Sequence, residues 1–166
     1  LRKKNKLEGV WKFYREDSSL EKEIYYINDK KEGREIKYYE NGNTSIITNW
    51  LSGSKEGFEY LYFPEGQIQY KIKLKENKKH GKSIEYAQNG RKISFSSYKN
   101  GLITSIEKFN RYNNQGEKNG LWKEFHENEN IKEEGPFKNN LRHGVFRFYN
   151  QRGDIQDVIR YEFGIR

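Results

Sequence analysis

Apolar and aromatic residues alternate with polar ones over short stretches of this chain, as in Gly-Phe-Glu-Tyr-Leu-Tyr over 57–62 and Ile-Gln-Tyr-Lys-Ile-Lys-Leu over 68–74. A period of two is the mark of a strand with one face packed and the other wet. Clusters of Asn, Gly, Asp and Ser separate the stretches and read as turns. The pattern repeats: Gly9, Gly33, Gly57 and Gly81 stand 24 residues apart, and so do Gly120 and Gly144. Five residues after these glycines come Tyr14, Tyr38, Tyr62, Tyr86, Phe125 and Tyr149, and seventeen after come Tyr26, Trp50, Leu74, Tyr98, Phe137 and Tyr161. Turn formers recur nine after the glycine, at Gly42, Gly66, Gly90 and Gly153, and twenty after it, at Asp29, Gly53, Asn77, Gly101, Asn140 and Gly164. Each unit of about 24 residues therefore reads as strand, turn, strand, turn. The expected fold is all-β, an elongated single-layer antiparallel sheet of tandem β-hairpins, with residues 1–166 forming a single repeat array.

The turns carry a prediction about faces. Phe63-Pro64-Glu65-Gly66 suits a three-residue loop, a type I turn closed by a left-handed glycine, and Gln88-Asn89-Gly90 and Lys99-Asn100-Gly101 fit the same template. Three-residue loops and an even period keep odd positions on one face throughout. In the third unit that face would hold Phe58, Tyr60, Tyr62, Ile68, Ile72 and Leu74, and both aromatic columns would form the repeat core. The opposite face then carries the residues two, four and six after each glycine, among them Trp11, Phe13, Tyr39, Leu61, Phe63, Trp122, Phe146 and Phe148. These eight either cover the ends of the sheet, where curvature buries both faces, or are the candidate anchors for a protein partner, because large aromatics on a nominally wet face suit a binding surface.

The array has one break. Gly81 and Gly120 are 39 residues apart, so an irregular insert spans 102–119. It alternates at Leu102, Thr104 and Ile106, then carries Phe109 and Tyr112 and ends in Asn113-Asn114-Gln115-Gly116. It reads either as a shortened, bulged hairpin or as a protruding recognition segment.

Composition supports a thin structure. Only 33% of residues are hydrophobic, yet 16% are aromatic, and 13 are tyrosines, whose rings pack while their hydroxyls stay wet. There is no cysteine, which excludes disulfides and thiolate chemistry. Methionine is absent even at position 1, which reads as a processed start. No apolar run long enough for a signal peptide or membrane span is present, which leaves periplasm, cell surface and cytoplasm open. The net charge of +8 comes from 32 basic and 24 acidic residues interspersed along the chain. His80 and His143 precede repeat glycines at a polar turn position, and His126 has no metal-ligand spacing around it. Glu127, Glu129, Glu133 and Glu134 cluster, but a one-layer sheet offers no pocket to raise a carboxyl pKa. No catalytic residue, metal or cofactor is expected.

Segments such as GREIKYYENGN, GKSIEYAQNGRKISFSSYKNG and HGVFRFYNQRGDIQDVIRYEFG resemble the bacterial variant of the MORN repeat, from about Leu7 to Gly164 apart from the break. Ser18-Ser19 and Glu129-Asn130 depart from its usual turn. The resemblance implies a sheet of hairpins and a scaffolding or membrane-associated role, and one branch of that family is of the toxin–antitoxin antitoxin type. No catalytic residue comes with it. The expected function is a non-enzymatic protein-interaction module. The alternative is an anionic-surface binder, for lipid headgroups more than nucleic acid, working through Arg2-Lys3-Lys4, Lys78-Lys79 and Arg91-Lys92 among aromatics.

Overall fold

The structure is a computed structural model that describes residues 6–166. Its described residues form sixteen strands and no helix, so none is long and apolar enough to cross a membrane. One sheet has ten strands: β1 (Gly9–Tyr14), β2 (Leu20–Ile27), β3 (Lys30–Tyr38), β4 (Thr44–Leu51), β5 (Ser54–Tyr62), β6 (Ile68–Lys75), β7 (Lys78–Lys79), β8 (Gly81–Tyr86), β9 (Lys92–Lys99) and β10 (Leu102–Lys108). The other has six: β11 (Arg111–Tyr112), β12 (Lys118–Phe125), β13 (Ile131–Lys138), β14 (Leu141–Arg142), β15 (Gly144–Tyr149) and β16 (Ile155–Tyr161). Strands follow one another in chain order, with the short β7 beside β6 and β14 beside β13.

The tandem hairpins are as expected, but the single continuous sheet is instead two sheets. The insert is the reason. Its first residues form β10, which pairs with β9 and takes the edge that the next unit's first strand would have extended. The chain then passes through Phe109 and Asn110, 1% and 2% exposed, and β11 opens the second sheet. The residues fall into two compact units. One comprises the chain up to Arg91 with Phe95–Ile106, the other Lys92–Ser94 with Glu107–Arg166.

Two kinds of turn alternate. In the first, Phe63 N–H donates to Gln67 O at 2.8 Å and Gly66 N–H to Phe63 O at 2.9 Å, closing the expected three-residue loop. In the second, Leu51 and Ser54 pair directly around Ser52 and Gly53, whose φ values are 51° and 87°. This is a two-residue type I′ turn, and Asn100 and Gly101, at 52° and 88°, adopt the same conformation. The three-residue reading of Lys99-Asn100-Gly101 is thus corrected: both loop residues are left-handed, and Asn-Gly takes that geometry with little strain.

The face assignment is also corrected. Tyr62 pairs with Ile68 but Leu61 pairs with Tyr70, which leaves Gln69 as an extra residue in β6. Glu21, Ser45, Lys132 and Gln156 are extra in the same way, each twelve after its glycine. One extra residue reverses which side the rest of the strand faces. Glu59 therefore shares a face with Ile72, and Leu61 with Tyr70. The two aromatic columns fall on opposite faces.

The packed face is the one holding positions two, four, thirteen, fifteen and seventeen. It buries Ile24, Ile72, Leu74, Trp122 and Phe146, together with the polar Glu35, Thr48, Ser83 and Ser94. Of the first aromatic column, Tyr14 is exposed, while Tyr38, Tyr62, Tyr86, Phe125 and Tyr149 are half-buried on the other face. Of the second, Leu74 is buried and Tyr26, Trp50, Tyr98, Phe137 and Tyr161 are half-buried.

Candidate functional site

The packed face is built from cations laid over rings. A basic residue stands two before most repeat glycines, at Lys31, Lys55, Lys79, Lys118 and Arg142. Strand register sets several of them opposite the preceding unit's column: Lys31 pairs with Tyr26, Lys55 with Trp50 and Arg142 with Phe137. In the first unit the Lys31 and Lys55 ammoniums lie 4.3 and 5.8 Å from the Trp50 ring, and Lys79 lies 5.1 Å from Tyr98. Lys31 also pairs with Glu35 and Lys55 with Glu59, both at 2.9 Å, and Thr48 Oγ1 donates to Glu59 at 2.7 Å. These groups line a shallow groove of about 350 Å³.

In the second unit a ladder of rings runs Tyr112, Trp122, Phe137, Phe146, Tyr161, with successive centroids 5.1, 5.9, 5.4 and 5.2 Å apart and edge-to-face. Lys118 lies 4.6 Å from the Trp122 ring, and Arg142 lies 4.7 Å from Phe146. The Arg142 guanidinium reaches both Glu133 carboxylate oxygens, at 2.8 and 3.0 Å. Lys123, 6% exposed, is held between Glu107 and Glu134, each at 2.9 Å. Burial alone would raise the Glu134 pKa, but hydrogen bonds from Lys123 and Tyr149 hold it below the ordinary carboxylate value. A carboxyl pinned ionised in this way cannot serve as a general acid near neutral pH.

The eight candidate anchors are divided between the units. Trp11, Phe13, Tyr39, Leu61 and Phe63 belong to the first, and Trp122, Phe146 and Phe148 to the second. Trp11 is 42% exposed, whereas Trp122 and Phe146 are 8% and 1% exposed and sit inside the ring ladder. Phe13, Leu61, Phe63 and Phe148 are half-buried. Tyr39 is committed to the fold, since its hydroxyl donates to Tyr62 O at 2.6 Å. His126 stands at the equivalent position of its own unit, and its Nε2 lies 2.9 Å from Tyr149 O. Because a carbonyl only accepts, Nε2 carries the proton there. Arg15 does the same work, donating to Tyr38 O. At Arg15, Tyr39 and His126 position six therefore ties neighbouring hairpins.

Sequence reasoning missed a patch on the other face of β1 and β2. Val10 and Tyr25 pair across these strands and are 62% and 41% exposed, and Tyr14 is 58% exposed. The signal was available in positions one, five and sixteen of the first unit, which are apolar or aromatic in a hairpin flanked on one side only.

No group of three or more His, Cys, Asp or Glu residues capable of holding a metal occurs among the described residues. The family model described as MORN repeat variant matches residues 7–28, 31–51 and 118–139. Those three stretches are similar to MORN repeats. Each coincides with a two-strand unit, β1–β2, β3–β4 or β12–β13. The hairpins β5–β6 and β15–β16 lie outside the matches but share the same register and the same extra residue, so the same hairpin geometry continues through them. No curated protein matches the chain. The chain is a repeat-based module that is similar to MORN repeats over these three stretches.

Proposed function

We propose that this module holds another protein, and that the first hairpin supplies the contact. The observation that carries the reading is exposure: Val10, Tyr14 and Tyr25 are 62%, 58% and 41% exposed on one face of one hairpin. Tryptophan and tyrosine supply most binding energy at protein interfaces when a partner dries them. Within this reading, the antitoxin-type branch that the repeats resemble names one class of partner, a toxin protein covered by the array.

The anionic-surface reading has less support. On the packed face Lys31, Lys55 and Arg142 are each paired with a carboxylate at 2.8 or 2.9 Å, and on the other face Lys123 is held between two at 2.9 Å. Of the basic runs, Lys79 lies over Tyr98, Lys92 lies 3.8 Å from Glu129, and Arg2-Lys3-Lys4 lies outside the described residues.

The test is capture of a partner from native extract at high salt, its identification by mass spectrometry, and titration of the purified pair with Tyr14→Ala and Tyr25→Ala. Binding should survive salt and weaken at least tenfold in either variant, with circular dichroism unchanged. Equal affinity of both variants, or binding abolished by moderate salt, rejects the reading.

A further inference from the structure

We propose that β10 is the seam of a symmetric dimer, its open edge pairing antiparallel with β10 of a second copy over Leu102–Ile106. β10 ends the ten-stranded sheet, with β9 as its one neighbour there. All seven of its residues are exposed, and Leu102, Ile103 and Ile106 are 75%, 50% and 56% exposed. The two-residue Asn100–Gly101 turn makes Lys99 and Leu102 a hydrogen-bonded pair, and alternation then turns the backbone groups of Leu102, Thr104 and Ile106 toward β9. Thr104 Oγ1 donates to Ser97 O at 3.1 Å, in keeping with that register. The N–H and C=O groups of Ile103 and Ser105 are left facing the open side.

Edge strands usually carry a charge, a proline or a bulge that blocks further pairing. The end strands β1 and β16 carry Lys12, and Asp157 with Arg160, respectively. Leu102-Ile103-Thr104-Ser105-Ile106 carries none of these devices.

The same five residues identify the occupant. Only odd-numbered residues present backbone groups outward, so an antiparallel copy must set odd against odd. Centred on Thr104, the pairing matches Leu102 with Ile106, Ile103 with Ser105 and Thr104 with its own copy, and no charged side chain enters it. Centring on Ser105 instead sets Leu102 against Lys108 and Ile103 against Glu107, whose carboxylate is already 2.9 Å from Lys123. Centring on Ile103 sets Ile106 against Asn100 in the turn. The pairing is isologous, so it consumes the edge and closes at two copies. It uses the end of the sheet opposite the β1–β2 patch and does not depend on the partner proposed there.

The chain has no cysteine, so a single introduced thiol reports the register cleanly. Thr104 would meet its copy at a non-hydrogen-bonded position with Cα atoms about 4.5 Å apart, within disulfide reach. Under mild oxidation Thr104→Cys should form a covalent dimer at least tenfold faster than Ile155→Cys, on the edge strand β16. By sedimentation the parent chain should dimerise with concentration. Ser105→Pro, which removes an outward N–H, and Ile103→Lys, which puts a charge into the seam, should both be monomers with unchanged circular dichroism. A parent chain monomeric up to its solubility limit overturns the proposal, as does Thr104→Cys cross-linking no faster than Ile155→Cys, or a dimer that survives Ile103→Lys.

Discussion

Gly135 and Phe146 show how tightly single residues are set in the ring ladder. A Cβ on Gly135 would lie 2.4 Å from the Phe146 ring, and Phe146 is 1% exposed, so neither the ring nor its neighbours have room to yield. Gly135→Ala should destabilise the chain by about 1–3 kcal/mol through overpacking. Phe146→Ala should cost about 3–5 kcal/mol. In the double variant the new methyl enters the space the ring has left, so urea denaturation should give a combined loss smaller than the sum; strict additivity would mean the two do not share that space. None of this was legible in the sequence, where Gly135 belongs to no glycine column and Phe146 stands among residues assigned to the wet face. Lys123 and Glu134 add a pH dependence. The folded pKa of Glu134 is depressed, so its contribution is present above the unfolded carboxyl value and is lost as pH falls through the folded one. That of Lys123 is raised, because the hydrogen bonds to Glu107 and Glu134 outweigh burial, so its contribution is lost only as pH rises through the folded value. Glu134→Gln should flatten the acid limb of the stability profile and leave the region near neutrality level; an unchanged acid limb would place the titration elsewhere.

At the scale of the hairpin, the sequence gives position and period but conceals parity. Strand locations, the three-residue loop at Pro64–Gly66 and the repeat of 24 all follow from where Gly, Asn and aromatics stand. The extra residue twelve after the glycine does not, because Glu21, Ser45, Gln69, Lys132 and Gln156 share only polarity, which any wet strand position has. That one residue moved the predicted binding column onto the packed face, which is why Trp122 and Phe146 are core. Among the type I′ turns, Asn100-Gly101 carries the usual glycine and is read from sequence with one loop residue too many, whereas Glu76-Asn77 carries none, yet φ is 49° and 66°. Asn77 holds the turn from outside, since its Oδ1 accepts Lys55 N–H and its own N–H donates to Lys55 O, at 2.8 and 3.1 Å. Glu76 gains nothing comparable from its side chain while bearing the steric cost of a left-handed residue. Glu76→Asn should therefore raise stability by about 0.5–1 kcal/mol, and Asn77→Ala should lower it by at least as much. A thermal shift of the opposite sign for Glu76→Asn would show that its carboxylate does work that the geometry does not reveal.

Across the ten-stranded sheet, each strand meets its sequence neighbours and little else, so stability should be distributed as in a one-dimensional array. β4, β5 and β6 have a strand on each side and lie near the buried Thr48, Ile72 and Leu74, whereas β1 and β10 each have one neighbour and are largely exposed. Opening an end strand breaks one interface, while opening a central one requires breaking two or unzipping from an end. Amide exchange should therefore be slowest in β4–β6 and quicken stepwise toward β1. It should quicken toward β10 as well in dilute solution, where β10 is unpaired. At concentrations that populate the proposed dimer, Ile103 and Ser105 should become protected while Val10 and Lys12 in β1 do not change. The contrast matters because a general stabilisation would slow both ends together. Uniform exchange along all ten strands would replace the array picture with a single all-or-none unit. Protection gained at β1 rather than β10 would move the self-pairing edge to the other end of the sheet.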